Sequence, residues 1–286
     1  MRNSSRRAGL RAALESPRYE IIPAAKVEAA VFELPRDVTI TVTASPTKGL
    51  DATLECAERV AGQGFRTVPH VSARLVVDYA HLSEIAARLA AAGIREVFVP
   101  AGDADPPAGR YDGSHKFLLD LARLGSPFAE VGITGYPESH PAIADDVTVQ
   151  AMWDKREHAT YVVSNLCFDP AVLRRWVDRT RARGITLPIQ MGLAGPVERT
   201  KLLAMATKVG VGESTRFLSK HGSRFARIAM PGGYSPERML NRTKDLLNDP
   251  VAHVVGLHIF TFNQVAETER WRQQMLGRVA GVGAAS

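Results

Sequence analysis

The chain has 286 residues, 45% of them hydrophobic and 23% charged, with a net charge of +6. That length suits one large α/β domain, and no stretch is apolar for long enough to span a bilayer. Cys56 and Cys167 lie far apart and no Cys or His spacing matches a zinc site, so no metal is expected and a reducing cytoplasm is the expected setting.

The basicity is concentrated at one end. Within residues 1–18, Arg2, Arg6, Arg7, Arg11 and Arg18 face only Glu15, which leaves +2 of the +6 for the rest of the chain. No aromatic and basic module accompanies this run, so nucleic-acid binding is not expected. Residues 1–18 read as a basic extension that is flexible or packs peripherally, and 19–286 as a single domain.

Tyr19 to Pro23 reads as a first strand with a carboxylate inside it, closed by Pro23. A helical run follows from Ala24 to Glu33. Val38 to Thr43 alternates β-branched residues and predicts strand two. Leu50 to Ala61 has a helical period, stopped by Gly62 and Gly64. Thr67 to Val71 is strand three, and Tyr79 to Ala92 is an amphipathic helix ended by Gly93. Glu96 to Pro100 is strand four, followed by a loop rich in Pro and Gly and a helix from Phe117 to Leu124. Val131 to Tyr136 is strand five. It runs into Gly135-Tyr136-Pro137-Glu138-Ser139-His140-Pro141, an abrupt change from apolar core to polar groups. Val147 to His158 is helical, Tyr161 to Asn165 is strand six, and Pro170 opens a helix that runs to Ala182. Leu187 to Leu193 is strand seven. Helical runs at Val197–Lys208, Glu213–Lys220 and Pro236–Leu247 precede strand eight, Val254 to Phe262, and a last helix from Asn263 to Leu276.

Eight apolar strands alternating with helices predict a parallel sheet closed into a (β/α)8 TIM barrel. An open doubly wound sheet would want a Gly-rich first turn, and none is present. Binding groups in such a barrel sit at the carboxyl ends of the strands. The candidates there are Glu20, Thr43, His70, Asp103, Tyr136, His140, Asn165, Gln190 and Asn263. Glu20 is the sharpest of these, because carboxylates are seldom buried unless paired or functional. An apolar pocket would raise its pKa and let it serve as a general acid near neutral pH. A mixed set of acid, amide and imidazole groups with few cations suits a polar heterocycle better than a metal or a polyanion.

Several of these motifs share an order and spacing. They are Tyr19-Glu20-Ile21-Ile22-Pro23, Pro69-His70, Gly102-Asp103, Tyr136-Pro137-Glu138-Ser139-His140-Pro141, Ser164-Asn165 with Phe168-Asp169, and His258-x-Phe260-Thr261-x-Asn263. From Tyr19 to its end the chain thereby resembles the methylenetetrahydrofolate reductase family. The resemblance implies a barrel that holds FAD at the strand ends, with NADH or NADPH as hydride donor and a folate as substrate. It implies reduction of 5,10-methylenetetrahydrofolate to 5-methyltetrahydrofolate, and a homo-oligomer. By motif match Glu20 is the general acid. Asp103 lies near the flavin and holds the amino-pyrimidine end of the pterin. Thr43, His70, Gly102, Tyr136 and His140 border the cofactor, and Asn165 the substrate; Gln190, as a strand-exit amide, is assigned to the substrate as well.

The chain also departs from that pattern. Ala44 replaces a Tyr, Ala101 the Arg before Gly102-Asp103, and Gln264 an Arg after the last strand. Trp153 and Asp154 stand where the family places basic residues for the FAD phosphates, with Lys155 and Arg156 adjacent. The alternatives are direct hydride transfer from the nicotinamide cofactor without flavin, and a non-catalytic folate-binding or partner-binding protein.

Overall fold

The computed structural model describes residues 2–44, 48–138, 140, 143–197 and 234–281, with side chains from Ala8 onward. Eight strands form one sheet: β1 (Arg18–Ile21), β2 (Thr39–Val42), β3 (Thr67–Pro69), β4 (Glu96–Phe98), β5 (Glu130–Gly135), β6 (Tyr161–Ser164), β7 (Ile189–Ala194) and β8 (Val254–Phe260). Their order is β3-β2-β1-β8-β7-β6-β5-β4, and every paired neighbour is parallel. The two ends of that order meet through a bridge between His70 and Phe98, with Val71 N–H donating to Phe98 O at 2.8 Å. The result is the nearly closed (β/α)8 barrel that the alternation of strands and helices predicts.

The helices are α1 (Arg2–Glu15), α2 (Ala25–Phe32), α3 (Gly49–Gly62), α4 (Tyr79–Ala91), α5 (Ser114–Arg123), α6 (Asp145–Lys155), α7 (Pro170–Ala182), α8 (Pro236–Thr243) and α9 (Val265–Gly281). Local chemistry sets several starts. Asp78 accepts from His81 N–H ahead of α4, and Asp169 accepts from Ala171 N–H ahead of α7, where Pro170 occupies the first turn. The two helical runs expected within 197–220 lie, apart from Val197, outside the described residues.

The amino-terminal segment packs against the barrel through α1. Leu10, Ala13 and Leu14 share one face of α1 and are buried. The Arg272 guanidinium on α9, itself buried, donates to Leu14 O at 3.0 Å and Glu15 O at 3.2 Å, at the carboxyl end of α1. It also pairs with Glu269 at 2.9 Å and Asp37 at 3.3 Å. A charge pattern dominated by arginine hides a short apolar stripe with its own buried partner.

Alternate strand residues point into the barrel, and they form three layers. At the amino-terminal end Arg18, the first residue of β1, bonds Glu96, the first of β4, and Tyr161 Oη at 3.3 Å. Arg66 joins Glu96 at 2.7 Å and Glu130 at 2.9 Å. Val68, Phe98, Tyr161 and Val163 form a small apolar cluster of their own, separate from the large core between sheet and helices. Beyond it, toward the carboxyl ends, polar groups gather.

Candidate functional site

Glu20 is the third residue of β1, held between the fully buried Tyr19 and Ile21, which face outward. Its side chain retains 19% exposure. Oε2 is 3.0 Å from His258 Nε2 on β8 and 3.9 Å from His70 Nε2 at the end of β3. His70 and His258 are 3% and 1% exposed, and their rings lie 6.2 Å apart. Among the described residues, His70 Nε2 and His258 Nδ1 are buried without a hydrogen-bond partner. The first contact is a hydrogen bond; the second is too long for one.

The protonation of this cluster follows from its surroundings. Burial pushes the His70 imidazole down to about 4, with the Glu20 charge only partly opposing it, so the ring is neutral near pH 7. Burial also pushes the Glu20 carboxyl up. The hydrogen bond from His258 and the two imidazoles more than offset that push, and Glu20 sits below the ordinary carboxylate value. The direction is opposite to the raised pKa expected from an apolar pocket. The flanking Tyr19 and Ile21 are apolar neighbours along the chain, but the groups that face the carboxyl across the barrel are imidazoles. Glu20 is therefore a carboxylate in the open site, and His258 is the donor.

The three groups also offer ligand-type atoms that all lie within 4.8 Å of one another. A metal-bound imidazole usually turns its second nitrogen to an acceptor, and His258 Nδ1 has none among the described residues. Oε2 and Nε2 already satisfy each other. The cluster has the chemistry of an acid–imidazole pair with a neutral imidazole beside it.

A second group stands on the loops after β4 and β5. Asp103 is exposed, and its charge acts on both Tyr136 and His140. Those two rings pack edge to face at 5.0 Å. Burial, with the Asp103 charge adding to it, raises the Tyr136 phenol; burial lowers His140. Gly102 takes φ +89°, and a Cβ there would come within 2.9 Å of Ser72 Cβ, so the loop after β4 can lie against the one after β3 only with glycine at this position. Thr43 follows β2 directly, bonded through its N–H to Ile21 O at 2.9 Å.

Two expected site residues sit differently. Asn165 follows β6, but its Oδ1 accepts its own neighbour's Leu166 N–H at 2.8 Å, and the amide is folded onto the backbone. Gln190, expected at a strand exit, is the second residue of β7 and packs against Gly256, itself two residues before His258 on β8. Gln190 therefore stands inside the strand that Leu187 to Leu193 predicted, near its start and not at its exit. Asn263 clamps the end of β1: its Oδ1 accepts Ile22 N–H at 2.8 Å and its Nδ2 donates to Ile22 O at 3.2 Å.

Two residues that the sequence pattern does not single out carry site roles in the structure. One is His258. Its signal was a lone imidazole inside an apolar strand, in step with Gly256 and Phe260. The other is Glu138. Its Oε1 accepts Phe168 N–H at 2.8 Å, Asp169 N–H at 3.3 Å and the Cys167 thiol at 3.4 Å, which ties the loop after β5 to the start of α7.

The methylenetetrahydrofolate reductase family model matches residues 24–270, most of the chain and nearly all of the barrel. The chain belongs to that family. A Caenorhabditis elegans protein named "Probable methylenetetrahydrofolate reductase (NADPH)" is 26% identical over 190 residues, which are 61% of this chain and 27% of that protein. The chain thus spans only about a quarter of that relative's length. Among solved structures, an oxaloacetate acetylhydrolase is 11% identical with TM-score 0.45, covering 84% of this chain and 94% of that one. Yersinia pestis DHPS with a pterine–sulfa conjugate is 12% identical with TM-score 0.41, covering 92% and 95%. Likenesses at that level carry no argument about chemistry.

In this reductase family member, the cofactor that the family implies can be tested against the described side chains. Thr43, His70, Tyr136 and His140 offer rings and hydroxyls of the kind that border a flavin. The phosphates fare worse, since an anionic pyrophosphate wants free cations or helix amino termini. Lys155 is buried, with Nζ donating to Ser114 Oγ at 3.2 Å, and burial lowers its pKa to about 8. Arg156 stacks on Trp153 at 3.7 Å and donates to Trp153 O and Glu157. Lys48 is held by Pro23 O, and Arg74 by Ala104 O and Asp105. The described residues suit the ring of FAD; these four cations are engaged and not free for its phosphates, while Arg179 and Arg183 line a cavity with Tyr136 beside the start of α6.

Proposed function

We propose that this reductase family member passes a hydride from NADH or NADPH to 5,10-methylenetetrahydrofolate, giving 5-methyltetrahydrofolate. The observation that carries this reading, beside family membership, is the Glu20 carboxyl in the barrel mouth, paired with His258 and flanked by the neutral His70. Reduction of the folate needs one proton on the nitrogen that leaves the methylene carbon as the five-membered ring opens. Glu20 supplies it. The free site holds Glu20 ionised, and a bound pterin covers its remaining exposed surface. Loss of that hydration pushes the carboxyl up and favours proton uptake on binding. Asp103, across the mouth, accepts the amino-pyrimidine N–H groups, charge-assisted on the acceptor side. Because Trp153 and Asp154 stand where the family places phosphate-binding cations, and the adjacent Lys155 and Arg156 are engaged, the hydride is proposed to pass directly from the nicotinamide. The FAD route is the second reading, favoured by the ring-bordering set of Thr43, His70, Tyr136 and His140.

The test is Glu20→Gln, which keeps size and a hydrogen-bonding oxygen but cannot donate an acidic proton. Turnover of methylenetetrahydrofolate should fall by roughly 10²–10⁴-fold, while equilibrium binding of the folate changes little. A variant that keeps the wild-type rate would remove Glu20 from the reaction. A wild type that binds folate without turning it over would favour a binding role.

A further inference from the structure

The two oxygens of Glu20 are in different situations. Oε2 is bonded to His258 Nε2 at 3.0 Å. Oε1 has no hydrogen bond among the described residues, and it is not among the buried unpaired atoms, so it keeps contact with solvent. His258 is the reverse case. Its Nδ1 is buried with no partner, so a proton there would be an N–H with nothing to bond, a costly state. The ring is thereby held as the tautomer with its hydrogen on Nε2, aimed at Oε2.

The surroundings of His258 carry little that could replace this bond. Its register partner on β7 is Gly192, which has no side chain. Its register partner on β1 is Arg18, engaged by Glu96 and Tyr161 in the layer below. Phe260 packs edge-on at 4.9 Å. The titratable groups facing the Glu20 carboxyl are His258 from β8 and His70 from β3, and His70 is too far for a hydrogen bond.

We infer that His258 is the positioning residue for Glu20: its fixed Nε2–H holds Oε2 and leaves Oε1 as the oxygen that exchanges a proton with a nitrogen of the bound folate. This deepens the proposed reduction and rests on it for the identity of the ligand. In the proton step the O–H bond at Oε1 breaks and an N–H bond forms on the leaving nitrogen. The electron pair of the broken bond stays on Glu20, which returns to a carboxylate. Proton resupply comes from solvent at Oε1, because the buried Nδ1 closes the path through His258.

The experiment compares His258→Leu and His258→Gln with the wild type in two ways. One is the pH dependence of kcat/KM for methylenetetrahydrofolate. The other is an infrared pH titration of the Glu20 carboxyl, identified by its absence in Glu20→Gln. With the bond gone and burial left, H258L should move the Glu20 titration up by about one pH unit or more, with kcat reduced about tenfold or more. H258Q can still offer an N–H, and its shift should be smaller. An H258L protein with the wild-type titration and the wild-type pH profile overturns the inference. If H258L does not fold, His258→Met takes its place. Should the wild type turn over no folate, the infrared titration still decides the His258 contact, so the two proposals fail separately.

Discussion

Single residues in this barrel mouth are defined by what faces them across the barrel. His70 illustrates the consequence for stability. Its pKa falls from 6.5 to about 4 on folding, chiefly through burial. Above pH 6.5 the ring is neutral in both states and its full contribution to stability is present. As pH falls from there toward 4, the unfolded chain takes up the proton first and stability is lost. The shift corresponds to roughly 3 kcal/mol at its full extent. Glu20 acts with the same sign but in a lower window, since its own pKa lies below 4.5. Urea unfolding free energies measured from pH 7 to pH 4 should therefore fall more steeply in the wild type than in His70→Gln. Parallel curves would show that His70 does not lose proton affinity on folding.

At the level of elements, α1 is the clearest case of structure outrunning composition. Its arginines suggest a solvated tail, yet Leu10 and Leu14 are buried and the α1 carbonyls satisfy the buried Arg272. Full burial of a leucine side chain is worth about 1.5–3 kcal/mol. A protein lacking residues 1–15 should lose roughly 3–6 kcal/mol, and Arg272 would lose two acceptors as well. Urea midpoints of the full and shortened chains measure this, and equal midpoints would make α1 a peripheral attachment after all. The tie made by Glu138 belongs to the same scale. A carboxylate that accepts two backbone N–H groups from the next loop holds two strand exits at a set distance.

Across the whole molecule the barrel interior separates its charges by height. Arginine and glutamate neutralise each other at the amino-terminal end, an apolar cluster seals the middle, and the carboxyl end presents Glu20 with His70 and His258. Among the described cations, Lys48, Arg74, Lys155 and Arg156 are held by carbonyls, carboxylates, a hydroxyl and an indole ring. Purified protein mixed with FAD and then desalted should accordingly show no retained flavin absorbance, while still oxidising NADH or NADPH in the presence of methylenetetrahydrofolate. Flavin bands that stay with the protein would return the FAD route to first place.

The strand and helix order, the parallel closed sheet and the family motifs were legible in the chain alone. Each depends on local periodicity, on turn residues, or on short runs such as Tyr136-Pro137-Glu138 that need no knowledge of distant partners. Glu20 was legible too, as a carboxylate among apolar neighbours. Its state was not. Whether burial raises or lowers a carboxyl depends on what lies within hydrogen-bond reach, and His258 is 238 positions away in sequence. Arg272 and Glu138 complete the point: each is one more charge in the sequence, and the tertiary fold alone brings to each the backbone groups that give it a role.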